Sequence, residues 1–195
     1  MLLNLFLPFK ISAQAPDSPL FSHPLKTVQP IPANCSSIET DEEGNIYLLQ
    51  TRSHKLSKLY ANRGYDSIQS IGGKGIKGEG LNQPSQILTQ NRQTIYLLDQ
   101  MNRRLVLLNT NLKVTREVNF LELNAGPGSL VDEEIFPVAF AAATSGELFL
   151  LNQNDLKIYK LNNQGRLENI FAGLDYGAGS LSDPVEMAMD ERNFL

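Results

Sequence analysis

Three stretches of this chain restate one another. Residues 43–50 (EGNIYLLQ) return as residues 92–100 (RQTIYLLDQ) and as residues 145–153 (SGELFLLNQ), with Ile46, Ile95 and Leu148 in equivalent places, 49 and 53 residues apart. The same offsets carry Leu56 onto Leu105 and Ile158, Leu59 onto Leu108 and Leu161, and Asn62 onto Asn111 and Gln164. Eight residues before each apolar run stands another apolar residue, Ile38, Ile87 and Phe140, and three before that stand Cys35, Pro84 and Pro137. A fourth copy opens at Pro184 with Met187 in the equivalent place. A period of this size is the mark of a repeat architecture, and it precedes any reading of single motifs.

Each unit reads as four short runs rich in Ile, Leu, Val, Tyr and Phe, separated by Gly, Asn, Asp or Ser. In the second unit these are residues 85–89, 94–98, 104–109 and 114–120. Runs of that length with turn residues between them are strands joined as hairpins, and no stretch has the length and 3.6-residue period of a substantial helix. Asn91, Asn111 and Gly165 supply turn chemistry at the reversals. Four antiparallel strands per unit of about 50 residues give the expected fold class: all-β, a partial β-propeller with an open ring. The near-continuous IYLL and FLL runs fit strands buried on both faces, which lose alternation. The more alternating KLSKLY (55–60) and LKIYKL (156–161) are expected further out, with water on one side. The blades are expected at 35–83, 84–136 and 137–183, with the start of a fourth at 184–195.

The repeat decides how to read the glycine-rich stretch at 72–84, GGKGIKGEGLNQP. It contains a G-x-G-x-x-G spacing and two lysines, which raises the question of phosphate binding. A dinucleotide turn needs a strand before it, a helix opening out of it and an acidic residue some 20 positions later. Here a proline and a strand follow. Glycine-rich segments also stand at 124–137 and 173–184, before each next unit. The stretch is therefore read as a connector between blades.

Composition adds limits. With 42% hydrophobic and 19% charged residues, a chain of 195 residues can fill a core. The net charge of -4 is unevenly placed: residues 52–117 hold 11 basic and 4 acidic residues, which hints at a basic face. The single Cys35 excludes an internal disulfide framework and is expected to be a small buried hydrophobe, and two histidines, His23 and His54, leave little for His-based catalysis. Residues 1–15 (MLLNLFLPFKISAQA) are an apolar run ending in Ala13-Gln14-Ala15, the small-residue pattern of a signal-peptidase site, so export to the periplasm or outside the cell is expected. Residues 16–34 form an N-terminal extension and a candidate closing strand.

The second unit, with LNQPSQILT followed by QTIYLLDQMNRRLVLLNTN, resembles the NHL-repeat propellers and the six-bladed group around them. The matching positions are Gly80, Leu81, Pro84, Ile95 to Asp99, Asn102, Arg104, Leu105 and Leu107. Unit one has Gln50 where the family favours Asp, and unit three has Asn152. The resemblance spans residues 35–195 and implies six blades of about 50 residues each. Three readings of the shorter length compete: a fragment of a longer product, which is favoured, a half-ring completed by a second chain through self-association, or a degenerate remnant.

The resemblance bears on blade geometry more than chemistry. The leading expectation is a non-catalytic exported scaffold that binds a protein, peptide or glycan through its loops. No cofactor, catalytic residue or metal ligand is assigned. The loop surface is expected to include Lys55, Lys74, Lys77, Arg103 and Arg104. A metal-dependent channel enzyme, as in lactonase or arylesterase-like propellers, would draw on Gln86, Ala139 and Glu186 or on Thr40, Thr89 and Ala142, of which Glu186 alone is a strong hard-ion ligand. The acidic run Asp132-Glu133-Glu134 reads as a solvated face. Nucleic-acid binding through the basic loops ranks third, since no tryptophan exists and the aromatics fall in strands. Asp99 and Asn152 are expected to accept backbone hydrogen bonds at their turns. Tyr47, Tyr96 and Phe149 are expected in the core.

Overall fold

A computed structural model describes residues 34–90, 93–124, 134–173, 180–190, 192 and 195. The expected leader, all but the last residue of the N-terminal extension, the turn residue Asn91, and Asp132 and Glu133 lie outside these residues. Among the described residues there is no α-helix, and no helix is long and apolar enough to cross a membrane.

The strands are β1 (Ser37–Thr40), β2 (Ile46–Gln50), β3 (Lys55–Leu59), β4 (Ile68–Gly72), β5 (Pro84–Gln90), β6 (Thr94–Asp99), β7 (Arg104–Leu108), β8 (Val114–Asn119), β9 (Pro137–Ala142), β10 (Leu148–Asn152), β11 (Lys157–Leu161) and β12 (Leu167–Ala172). They form three four-stranded antiparallel meanders, one per repeat. Equivalent residues of the repeat occupy equivalent ladder positions: Ile46 pairs Leu59 and Ile95 pairs Leu108, as Leu148 pairs Leu161. These are the blades of a partial β-propeller.

Packing between blades explains the unbroken apolar runs. Side chains alternate faces along a strand. Ile95 and Leu97 therefore pack toward blade 1 with Tyr47, Leu49 and Leu56. Tyr96 and Leu98 pack toward blade 3 with Phe140, Leu148, Leu150 and Tyr159. Full burial of each Leu or Ile contributes about 1.5–3 kcal/mol, so a central blade gains from both faces. Phe149 is half-buried and packs on the far face of blade 3 with Phe171, Leu181 and Met187.

Polar side chains stitch one blade to the backbone of the next. Gln86 uses its whole carboxamide on β9: Nε2 donates to Phe140 O at 3.0 Å and Oε1 accepts from Phe140 N–H at 2.9 Å. Thr89 Oγ1 donates to Thr40 O at 2.8 Å and Thr51 Oγ1 to Pro84 O at 2.6 Å. Gln69 and Arg116, which hold the same place in blades 1 and 2 opposite Lys58 and Leu107, donate to Asn111 O at 2.8 Å and Asn163 O at 2.6 Å. These bonds satisfy carbonyls that the edge strands and turns would otherwise leave bare. Gly165, at φ 76°, and the Asn162 side-chain Oδ1 that accepts from Gln164 and Arg166 N–H complete the β11–β12 turn.

Three expectations change. Strand β3 does not keep one side in water: Leu56 to Leu59 are all buried, because its alternate positions face blade 2, where Lys58 reaches Thr110 O. Cys35 is exposed. Its equivalents Pro84 and Pro137 are buried and meet the turn of the preceding blade through Thr51 and Gln100. Of residues 184–195, expected to start a fourth blade, the described ones form no ladder, although Met187 packs against blade 3 where an inner strand would lie.

Candidate functional site

The turn between the second and third strands is built on one backbone plan in every blade. His54, Arg103 and Leu156 stand just before β3, β7 and β11 with φ of 55°, 51° and 55°. In blade 2 this turn grips the connector that arrives from blade 1. Asp99 is fully buried. Its Oδ1 accepts the Asn82 N–H at 2.7 Å, and Oδ2 accepts from Asn102 Nδ2 at 2.7 Å and Arg104 Nε at 2.9 Å. Arg104 is also buried. It reaches Glu117 at 2.9 Å and donates from Nη2 to the carbonyls of Gly78 and Gly80. Asn102 adds a bond to Gly75 O at 2.8 Å.

The connector closes on itself above this grip. Gly75 N–H donates to Leu81 O at 3.0 Å, Leu81 N–H to Gly73 O at 2.9 Å and Gly80 N–H to Lys77 O at 3.1 Å. Its two arms touch at glycine: a Cβ on Gly80 would stand 2.8 Å from Gly75 Cα. The glycines allow backbone to meet backbone, and the N–H groups of Gly75 and Gly80 are directed to the loop's own carbonyls. Strand β5 follows, so the stretch is the expected blade-to-blade connector.

The candidate basic residues separate into two groups. Lys55, at the start of β3, and Lys74 and Lys77, in the connector, are exposed near one another in the fold, since Lys55 pairs with Gly72 and Gly73 N–H bonds to His54 O. Between the two connector lysines Ile76 is 75% exposed, and Met101, on the neighbouring turn that supplies Asn102, is 47% exposed. Arg103 is partly covered and ion-paired with Glu134 of the next connector. Arg104, expected on the loop surface, is inside, because the connector's bare carbonyls and the Asp99 carboxylate need its donors. Asp99 accepts a backbone N–H as expected, and so does Asn152, from Phe136 at 2.6 Å.

At the opposite end of blade 1 the structure assembles a group that the sequence did not announce. Asp41 Oδ1 accepts the N–H groups of Glu43 and Asn45, and Oδ2 accepts from Asn45 Nδ2 at 2.8 Å and the Tyr47 hydroxyl at 2.9 Å. Lys58 Nζ lies 3.9 Å from Oδ2 and over the rings of Tyr47 and Tyr60, at 5.3 and 4.8 Å. Burial works to raise the Asp41 carboxyl's pKa, but the bonds from Asn45 and Tyr47 and the Lys58 charge hold it below the ordinary value. Burial pushes the Lys58 ammonium down, with Asp41 and Glu43 opposing. Burial first and Asp41 second push the Tyr47 hydroxyl up. A cleft of about 200 Å³ opens beside this group, lined by Thr40, Glu42, Thr89, Gln93 and Thr110 among others. The available signal was departure from the repeat: Asp41 stands where the other units have Gln90 and Ala143.

Along the inner strands a second cleft of about 200 Å³ brings Glu39, Gln86 and Glu186 together with Phe140 and Met187. Gln86 is engaged with Phe140, and burial raises the Glu39 carboxyl. Ala139 and Ala142 are buried, and the Thr89 hydroxyl donates to the Thr40 carbonyl. Among the described residues no three His, Cys, Asp or Glu side chains converge as a metal-ligating group.

No protein-family model matches the chain, and no curated protein matches it. Solved structures do. Virginiamycin B lyase from Staphylococcus aureus aligns at 13% identity with a TM-score of 0.58, over 85% of this chain and 49% of that one. A streptogramin B lyase aligns at 15% with a TM-score of 0.59, over 85% and 48%. The β-propeller domain of Cps50 (Swd1) from Myceliophteria thermophila aligns at 12% with a TM-score of 0.51, over 70% and 42%. At these identities the similarity establishes the fold alone, a β-propeller. The chain spans about half the length of the lyase structures it matches.

Proposed function

We propose that this chain is a non-catalytic exported scaffold of the NHL-repeat type, which takes a protein, peptide or glycan through its loops. The observation that carries the reading is the clamped connector. A buried ion pair, Asp99 with Arg104, and a glycine-to-glycine contact fix a loop whose outward side chains, Lys74, Ile76 and Lys77, have no structural duty inside the blade. Binding residues concentrate on loops set on a rigid frame. A loop held in one conformation also loses less entropy when a ligand arrives. The blade-to-blade stitches of Gln86, Thr89 and Arg116 supply the frame's rigidity.

The test is to probe peptide and glycan arrays with the labelled intact chain and with a loop variant, Lys74→Ser with Ile76→Ser and Lys77→Ser. The expected result is a set of ligands held by the parent chain and lost by the variant, at unchanged melting temperature. Arrays that give no ligand above a heat-denatured control, or ligands indifferent to the loop, overturn the reading. Export is checked separately, by locating the mature chain and reading its N-terminus: cleavage after Ala15 is expected, and an intact Met1 in the cytoplasm would refute it.

A further inference from the structure

We propose that the partner of the clamped connector is an acidic peptide segment carrying an apolar residue, with Ile76 and Met101 meeting the apolar side chain and Lys55, Lys74 and Lys77 meeting carboxylates. This rests on the scaffold reading above and narrows it to one ligand chemistry.

Charge complementarity makes the first argument. The chain is acidic, yet residues 52–117 carry 11 of its 17 basic residues and 4 of its 21 acidic ones. The folded structure turns two of those basic groups inward, Lys58 to Thr110 O and Arg104 to Asp99 and the connector carbonyls, and engages two more at the surface, Arg116 with Asn163 O and Arg103 with Glu134. Of those left outward among the described residues, Arg52, Lys55, Lys74 and Lys77 lie on the connector and the adjoining β2–β3 turn, while Lys113 pairs with Glu79 of the connector and Arg63 stands on the turn after β3, over the Tyr60 ring. The acidic groups nearby are already answered, Glu79 by Lys113 at 3.6 Å and Glu117 by Arg104. An anionic segment is thus attracted here and repelled by the acidic remainder of the surface.

The second argument is the apolar tip. Ile76 at 75% exposure, between two lysines on a loop fixed by bonds from Asn102 and Arg104, is a preset aliphatic anchor. Exposed aliphatic anchors ringed by charge suit a peptide side chain. Single-stranded nucleic acid would want a stacking platform, and among the described residues the exposed large hydrophobic ones at this end, Ile76, Met101 and Leu121, are not aromatic. The fold also holds a small internal example of the same recognition, Glu134 of the second connector seated on Arg103 of the preceding turn.

The experiment is fluorescence anisotropy on the intact chain with four labelled probes: a short Glu/Asp-rich peptide with one central Leu, the same peptide with Ser for Leu, a Lys-rich peptide with the same Leu, and oligo-dT. The acidic Leu peptide is expected to bind at least about tenfold tighter than each of the other three. Lys74→Glu with Lys77→Glu should abolish that binding, and Ile76→Ser should erase the difference between the Leu and Ser peptides. All three residues are exposed, so melting temperature should not move. Equal binding of the basic peptide, preference for oligo-dT, or indifference to the lysine reversal overturns the proposal. If the acidic peptides fail while the arrays still yield loop-dependent ligands, this inference alone falls; if the arrays are also blank, the scaffold reading falls with it.

Discussion

In blade 2 the turn from β6 to β7 and in blade 3 the turn from β10 to β11 share a backbone path, with Arg103 and Leu156 in left-handed conformation at the same place, yet they are filled with different chemistry. Blade 2 buries a charge pair, Asp99 with Arg104, and extends the guanidinium to Gly78 O and Gly80 O. Blade 3 uses a neutral amide at the Asp99 position. Asn152 Oδ1 accepts the Phe136 N–H, Nδ2 donates to Asp155 Oδ1 at 2.8 Å, and Asp155 Oδ2 accepts from the Tyr159 hydroxyl at 2.6 Å. The common requirement is one acceptor for an N–H of the arriving connector, Asn82 in one case and Phe136 in the other. A buried arginine enters where the connector also brings bare glycine carbonyls that need donors, whereas the blade 3 turn pairs its Asp155 with the part-exposed Lys157. A buried charge pair is poor evidence of extra stability in itself, and here its evident work is to fix a loop.

The contrast predicts unequal costs. Asp99→Ala takes from the buried Arg104 one of its two carboxylates, leaving Glu117, and leaves the Asn82 N–H without its acceptor; it should destabilise by about 3–5 kcal/mol in urea unfolding, and it should raise amide exchange across residues 73–83. A loss no greater than that of an ordinary hydrogen bond would mean that charge is not what separates the two turns. Gly80→Ala attacks the same loop without touching charge, since its Cβ meets Gly75 backbone at 2.8 Å; a cost of about 1–3 kcal/mol is expected for such overpacking. Asn152→Ala in blade 3 removes a neutral acceptor and should cost about 1–2 kcal/mol, with no effect on exchange in the first connector.

How much of this could be read in advance follows from which residues repeat. The IYLL and LFLL runs and the 49- and 53-residue offsets specify strands, meander order and blade count, because each repeat reports the same packing environment independently. Asp99 and Asn152 were legible for the same reason: side chains that end an inner strand before a turn have a backbone group waiting. Arg104 was legible as a repeat position but not in its direction, since a sequence does not show that Gly78 and Gly80 present carbonyls 24 to 26 residues away. Alternation in KLSKLY predicts water beside Lys58, whereas its partners are Asp41 of the β1–β2 turn, Tyr60 at the end of β3 and Thr110 of the neighbouring blade. Cys35 failed because the burial of its equivalents depends on a preceding turn.

Asp41 supplies a pH test of the seam between blades 1 and 2. Its folded carboxyl titrates below the ordinary 3.8, through the bonds of Asn45 and Tyr47 and the charge of Lys58 acting against burial. A depressed carboxyl contributes stability that is present above its unfolded pKa and lost as pH falls through the folded one. Unfolding free energy should therefore decline from about pH 4 downward, and Asp41→Asn should flatten that decline relative to the parent chain. An unchanged slope would place the acid sensitivity elsewhere and leave the seam to its apolar contacts, Tyr47 and Leu49 against Ile95 and Leu97.

The smallest effect is expected at Lys113, which meets Glu79 of the connector at 3.6 Å with both side chains in water. Exposed pairs of this kind are worth about 0–1 kcal/mol, and salt weakens them. Lys113→Ala should cost no more than about 0.5 kcal/mol and leave exchange in residues 73–83 as in the parent chain. The pair touches the same loop as Arg104 but from outside, so it tests a charge on the connector without burial. A cost above about 1 kcal/mol, or a loosened connector, would show the loop held from its solvent side as well. The assignment of its rigidity to the buried Asp99 and Arg104 would then have to be shared with the surface.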